Sequence, residues 1–196
     1  MRGSGVSAGG AARIGALLCA VFLAACASTT VTLTPAPQAP VCDADAAALV
    51  LWAPEWRPDQ KDAVAREEAA ASGIAAFFAE SGCFARTEVR RVRTLDVATQ
   101  ARESAGVGGR FDVVVTLAVR ELGPVVRLLS SAALVEGGTE VVLGVTSRAQ
   151  GSSAPARAFT VHWHHGGPGT VKGVASLPDD MRAALRAGLQ AQRAGR

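Results

Sequence analysis

Tyrosine is absent from the 196 residues, and so are several motifs that would announce a chemistry. There is no CxxC or HExxH, so the usual spacings of a structural or catalytic zinc site are missing. No GxSxG is present to build a nucleophile elbow. The glycine-rich stretch Gly166-Gly167-Pro168-Gly169 lacks the Lys-Ser/Thr of a phosphate-binding loop and leads into TVKGVA rather than directly into a helix. It reads as a turn. A membrane-crossing helix needs about 20 apolar residues, and the uncharged run Ile14 to Ala25 has twelve. Charge of one sign is also scarce: 20 basic residues stand against 17 acidic ones, so composition makes no case for nucleic-acid binding.

The twelve-residue run follows Arg2 and Arg13 and ends Leu23-Ala24-Ala25-Cys26. A charged n-region and an apolar core of about 7–15 residues are the marks of a secretion signal. The ending resembles the bacterial lipoprotein signal, whose lipobox is a Leu, two small residues and a Cys. That resemblance implies cleavage after residue 25, acylation of Cys26 on its sulfur and its new amino group, and attachment to a membrane. One acyl chain binds only marginally, whereas two or more anchor stably. Ala27 rather than Asp follows the lipobox Cys, which by the same resemblance points to the outer membrane, with the domain facing the periplasm. Loss of Arg2 and Arg13 with the signal leaves 18 basic residues against 17 acidic, a net charge of +1.

Of the four cysteines, Cys19 would leave with the signal and Cys26 would carry lipid, so Cys42 and Cys83 remain. A pair in an oxidising compartment is a disulfide candidate. Residues 26–41 are rich in Ser, Thr and Pro without charge and read as the lipidated Cys and a solvated tether. Residues 42–196 then form a single periplasmic domain.

Within that domain Ala46 to Trp52 reads as a buried strand. A helix starting at Asp59 would carry Val64, Ala71, Ile74, Ala75 and Phe78 on one stripe and end at Ser81-Gly82. A helix returning antiparallel to its strand sets Cys83 beside Cys42. Phe84 to Arg93 is a second strand, with Arg86, Arg90, Arg91 and Arg93 on a solvated edge, and Asp96 to Ala105 a short helix. Phe111 to Leu122 alternates as a half-buried strand, Gly123-Pro124 turns the chain, Val125 to Val135 pairs back, and Gly137-Gly138 suits a tight hairpin. Ala158 to His165 is the last strand. Ser176 to Asp179 opens a terminal helix with Met181, Ala184, Leu185, Gly188 and Leu189 along one face. The expected class is α+β: a mixed, mostly antiparallel sheet with helices packed on one face.

The helix ending FFAESGCF, the strand GGRFDVVVTLAV and the pair joined at EGGTEVVLGV resemble the TolB N-terminal domain and the related envelope lipoproteins of the penicillin-binding-protein-activator (LpoB) and curli-secretion (CsgG) type, over roughly residues 46–149. The resemblance implies a non-enzymatic recruiter that binds an envelope protein.

All three histidines fall in HWHHGGPGT. On a strand His162 and His164 share a face and His165 opposes them beside Trp163. Two imidazoles are a weak metal site, since Zn²⁺ takes three or four protein ligands; a solvated face is the simpler assignment. No catalytic residue and no cofactor are assigned. The loop WAPEWRPDQK is the better binding candidate, because Trp and Arg are enriched at binding hot spots: Glu55, Trp56 and Arg57 are the expected partner contacts, the alternative being that Trp56 lids the helix. The expected function is a lipid-anchored adaptor for a protein partner in envelope assembly or maintenance. The alternative is an auxiliary lipoprotein of an ABC-type lipid or solvent transport system, whose early tyrosine-containing strand this chain lacks. A metal-binding lipoprotein centred on His162 and His164 is a third class.

Overall fold

The computed structural model describes residues 27–128, 135–152, 156–168, 170 and 172–190. Cys26 and the signal segment lie outside the described residues. Six strands and three helices follow in the order β1 (Ser28–Thr34), β2 (Asp43–Pro54), α1 (Ala63–Glu80), β3 (Phe84–Arg91), α2 (Val97–Ala105), β4 (Val113–Leu128), β5 (Val135–Ala149), β6 (Arg157–Pro168) and α3 (Leu177–Leu189). The strands form one open sheet in the order β1-β6-β5-β4-β2-β3. β2 is parallel to both β3 and β4, and the other pairs are antiparallel. The class is α+β.

β2 explains how the sheet is layered. Its run AALVLWA has no polar residue because both of its faces are covered, as for a parallel strand. Ala48, Val50 and Trp52 join Val115, Leu117, Leu143, Val161 and the inner faces of α1 and α3. Leu49, Leu51 and Ala53 meet Val92, Val107, Phe111 and Val114 on the other side. α1 and α3 pack against each other at Gly73, where a Cβ would fall 2.5 Å from the Pro178 carbonyl and 2.7 Å from Met181 Cβ. Leu177, Met181, Leu185 and Leu189 of α3 are fully buried, each contributing about 1.5–3 kcal/mol of transfer free energy. The α3 stripe is as expected from the sequence.

Cys42 and Cys83 are bonded to each other, with Cα atoms 4.6 Å apart. Each precedes one of two parallel strands in register, Asp43 facing Phe84, so the bridge ties the base of β2 to the edge strand β3.

Five expectations need correction. The segment read as a tether begins as β1: Val31 and Leu33 pack against the core, and all seven residues pair with β6. Alternation of β-branched threonine with apolar residues is itself a strand signal, which the prolines after Thr34 obscured. α1 starts at Ala63 rather than near Asp59, its cap Asp62 has φ 55° and makes no side-chain cap bond, and Val64 is 74% exposed. The buried stripe is Ala69, Ala70, Gly73, Ile74, Phe77 and Phe78. Gly123-Pro124 is not a turn, nor is Gly137-Gly138 a hairpin: β4 and β5 run straight through them, Gly123 facing Glu140 and Val126 facing Gly137. Likewise Gly166 to Pro168, read as a turn, completes β6.

Candidate functional site

The loop after β2 is built on an irregularity in β4. The pairing of β4 with β5 shifts between Val119 and Glu121, a β-bulge that turns two consecutive charged residues, Arg120 and Glu121, away from strict alternation. Glu55 extends the end of β2 through its N–H to the Val119 carbonyl, 2.8 Å, and its Oε2 meets Arg120 Nε at 3.2 Å. Glu121 then becomes a hub. Its Oε1 pairs with Arg66 Nη1 of α1 at 3.0 Å and its Oε2 with Arg57 Nη2 at 3.2 Å.

Arg66 is held from every side. Its Nε donates to the Lys61 carbonyl at 2.9 Å and its Nη1 to the Leu122 carbonyl at 2.6 Å, and with its amide oxygen turned inward Gln60 accepts from Nη1 at 3.0 Å. A Cβ on residue 123 would lie 1.6 Å from Arg66 Nη1, so Gly123 is what admits the guanidinium. With Arg66 11% and Glu121 17% exposed at the side chain, this pair is largely desolvated and removing either partner strands the other. The ion pair fixes the base of the loop; the outer charges do not share that burial, Arg57 being 67% exposed.

The result is a concavity of about 400 Å³ lined by Glu55, Arg57, Arg120, Glu121, Glu140 and Val142. A second one, of about 360 Å³, lies on the open sheet face, with Thr116, Thr146, Thr160 and Gln100 in its lining. Glu55 and Arg120 line both, and the Arg120 guanidinium crosses Gly144, whose Cβ would meet it at 3.1 Å.

Of the expected contacts, Glu55 and Arg57 therefore face the concavity. Trp56 does not share their exposure: it is half-buried and packs against the main core, with its indole Nε1 buried and without a hydrogen-bond partner. Sequence reasoning missed Arg120, Glu121, Glu140 and Arg66. Two adjacent charges inside an otherwise alternating strand, VTLAVREL, were the available sign of the bulge.

His162 is exposed and His164 half-buried, on the sheet face opposite Trp163. In register with His164 are Thr30 on β1 and Glu140 on β5. Among the described residues no three His, Cys, Asp or Glu side chains gather to hold a metal. His165 lies on the core side, stacked on Trp163 with ring centroids 5.8 Å apart and its Nδ1 2.8 Å from Thr29 Oγ1. The arginines of β3 do lie on the sheet's outer strand. Two of them are paired: Arg90 with Glu88 and Glu103, and Arg91 with Glu67.

No family model matches the sequence, and no curated protein does. Among solved structures, the chain is similar to the PelC dodecamer from Paraburkholderia phytofirmans, at 20% identity and a TM-score of 0.40, covering 83% of this chain and 99% of that one. It is similar to lipoprotein GNA1162 from Neisseria meningitidis at 15% identity and a TM-score of 0.37, covering 72% and 96%. A putative neuraminyllactose-binding hemagglutinin homolog from Helicobacter pylori is similar at 10% identity and a TM-score of 0.38, covering 76% and 84%.

Proposed function

We propose that the protein is a lipid-anchored adaptor of the cell envelope, attached to the outer membrane through acyl chains on Cys26 and binding a protein partner, without chemistry of its own, through the concavity at the end of β2. The observation that carries this reading is the contrast inside the charge cluster. Arg66, Glu121 and Gly123 are packed into a fixed base, while Glu55, Arg57 and Arg120 stand 45–67% exposed above it. Charges prepositioned in this way lose little side-chain freedom on docking, which favours recognition of a partner surface carrying both signs. Carboxylates, guanidinia and one valine form the lining, groups suited to salt bridges rather than to bond making.

Charge reversal at the exposed rim tests it. Glu55→Lys acts outside the Arg66–Glu121 base and should keep the unfolding temperature of the parent, whereas Arg57→Glu sets a carboxylate beside Glu121 and should lower it by a few degrees without unfolding the domain. A photo-crosslinker at exposed Asp59, two residues beyond Arg57, should yield one dominant adduct in intact envelopes, and each reversal should cut its yield about tenfold, the loss of roughly 1.4 kcal/mol of binding. Equal adduct yield from parent and reversed chains would remove this surface as the partner site. Trp56→Ala is the poorer probe, since its half-buried ring supports the core.

A further inference from the structure

Among the described residues, the acids that the fold takes partly out of water are each given a base, with one exception. Glu67 pairs with Arg91, Glu88 and Glu103 with Arg90, Glu121 with Arg57 and Arg66, and Asp180 with Lys172. All of these acids are half-buried or buried. An exposed acid such as Glu68 is solvated and needs no base. Glu140 is the exception: it is half-buried, and its carboxylate makes no hydrogen bond or ion pair among the described residues. A carboxylate withdrawn from water without a counter-charge costs free energy, so the domain on its own gains nothing from it. The groups around it are committed elsewhere. Gly123 faces Glu140 on β4 and His164 faces it on β6. Arg66 lies over Gly123 but makes its hydrogen bonds to Glu121, Leu122 and Lys61. The His164 ring is turned toward Gly138, its Nε2 2.9 Å from where a Cβ on that glycine would stand.

Glu140 and Val142 both line the charged concavity, on one face of β5 and about 7 Å apart along the strand. We propose that Glu140 receives a lysine or arginine of the partner protein, whose aliphatic stem lies on Val142. This rests on the reading of the concavity as the partner site and names what the partner presents there. A long cationic side chain buries its methylenes along apolar surface and keeps its charge at the polar end; Val142 and Glu140 offer the two in that order. One carboxylate alone is a poor metal ligand, and no three metal-binding side chains gather among the described residues. Elsewhere in the site Glu55 is matched to Arg120, while exposed Arg57 shares Glu121 with Arg66. The unmatched carboxylate of Glu140 is thus balanced by a half-matched guanidinium at Arg57. The complementary surface carries a base for Glu140 and an acid for Arg57, and a partner of one charge sign alone does not fit.

The test uses the full chain in intact envelopes with the photo-crosslinker at Asp59. Glu140→Gln strands no base, so it should keep the unfolding temperature within about 2 °C of the parent while cutting the adduct yield about tenfold. Glu140→Lys sets like charges together and should cut the yield further, about a hundredfold. Glu140→Leu, which widens the apolar patch of Val142, should do no better than Glu140→Gln. Parent-like yields from the Gln and Lys variants, with the yield still lost in Glu55→Lys, would overturn the cation and leave the concavity as the partner site. A Leu variant that matches or exceeds the parent would reveal an apolar contact and overturn it too. So would a Gln variant that melts about 10 °C lower, since Glu140 would then be a carboxylate the fold itself requires. Yields unchanged by every variant, Glu55→Lys included, would instead remove the partner site and the cation together.

Discussion

Asp96 shows how one side chain can carry a boundary. It caps α2, accepting from the Thr99 N–H at 2.7 Å and from the hydroxyls of Thr94 and Thr99. The Thr94 hydroxyl and then the Thr99 N–H favour the charged form and hold its pKa down at about 2, against 3.8 for a free Asp. A depressed carboxylate stabilises the fold fully above its unfolded pKa, and the contribution is lost as pH falls through the folded one. Amide exchange at Thr99 and Gln100, taken relative to the intrinsic rate at each pH, should therefore accelerate in the parent only as pH drops from about 4 toward 2. In Asp96→Ala it should be several-fold faster at neutral pH already, as expected for a lost cap, and show no further step in that acid range. A parent-like exchange rate in the variant would mean that α2 is held by its flanking loops. The place where α2 begins was readable in the sequence, which put a short helix from Asp96, because Asx capping is local: residue, spacing and partner lie within four positions. The α1 start was not, because Asp59 and Asp62 are both acceptable caps on local grounds and Arg66, reaching to Glu121 and Leu122, is a contact that no local window contains.

At the scale of elements, the disulfide is the strongest single constraint on the parallel half of the sheet. β3 is an outer strand with one neighbour, β2, and reaches it only after the 18-residue α1. The bridge closes a sequence separation of 41, worth about 4 kcal/mol in the chain-entropy model. Cys42→Ser/Cys83→Ser should lower the urea midpoint by about 2 M for an m-value near 2 kcal/mol/M, with β3 amides the first to lose protection. A midpoint unchanged by the double substitution, or by reductant in the parent, would show that β2–β3 packing alone holds the edge. Legibility again divides by range. The pairing of Cys42 with Cys83 followed from counting and from a helix that returns the chain. The long β4–β5 ladder was hidden by Gly123-Pro124 and Gly137-Gly138, residues that usually break a strand. Here Gly123 makes room for Arg66, Pro124 faces Thr139 within the ladder, and the register shift at Arg120 re-aims the strand before them.

For the whole molecule the decisive element is β1, because it converts β6 from an edge into an interior strand and closes the core beside α3. Val31 faces Trp163 and Leu33 faces Val161, and both contribute partly buried side chains to the main core. A solvated tether could be removed at no cost to the fold. A paired edge strand could not: a chain beginning at Pro35 would bare the outer backbone of β6 and uncover part of Trp163 and Val161. Half-burial of one valine and one leucine is worth about 1.5–3 kcal/mol, and the seven pairings add to it only what exceeds the backbone entropy regained by seven freed residues, so the net loss is about 2–4 kcal/mol, a fall of roughly 10 °C in Tm for a domain of this size. The freed strand is long and carries Phe159, Val161 and Trp163 on one face, so the truncated chain should also associate as its concentration rises, through strand addition at that edge. Thermal unfolding and light scattering of residues 27–196 and 35–196, compared side by side over a hundredfold range of concentration, measure both effects. Equal melting temperatures and equal monomer mass would return residues 28–34 to the role of a tether.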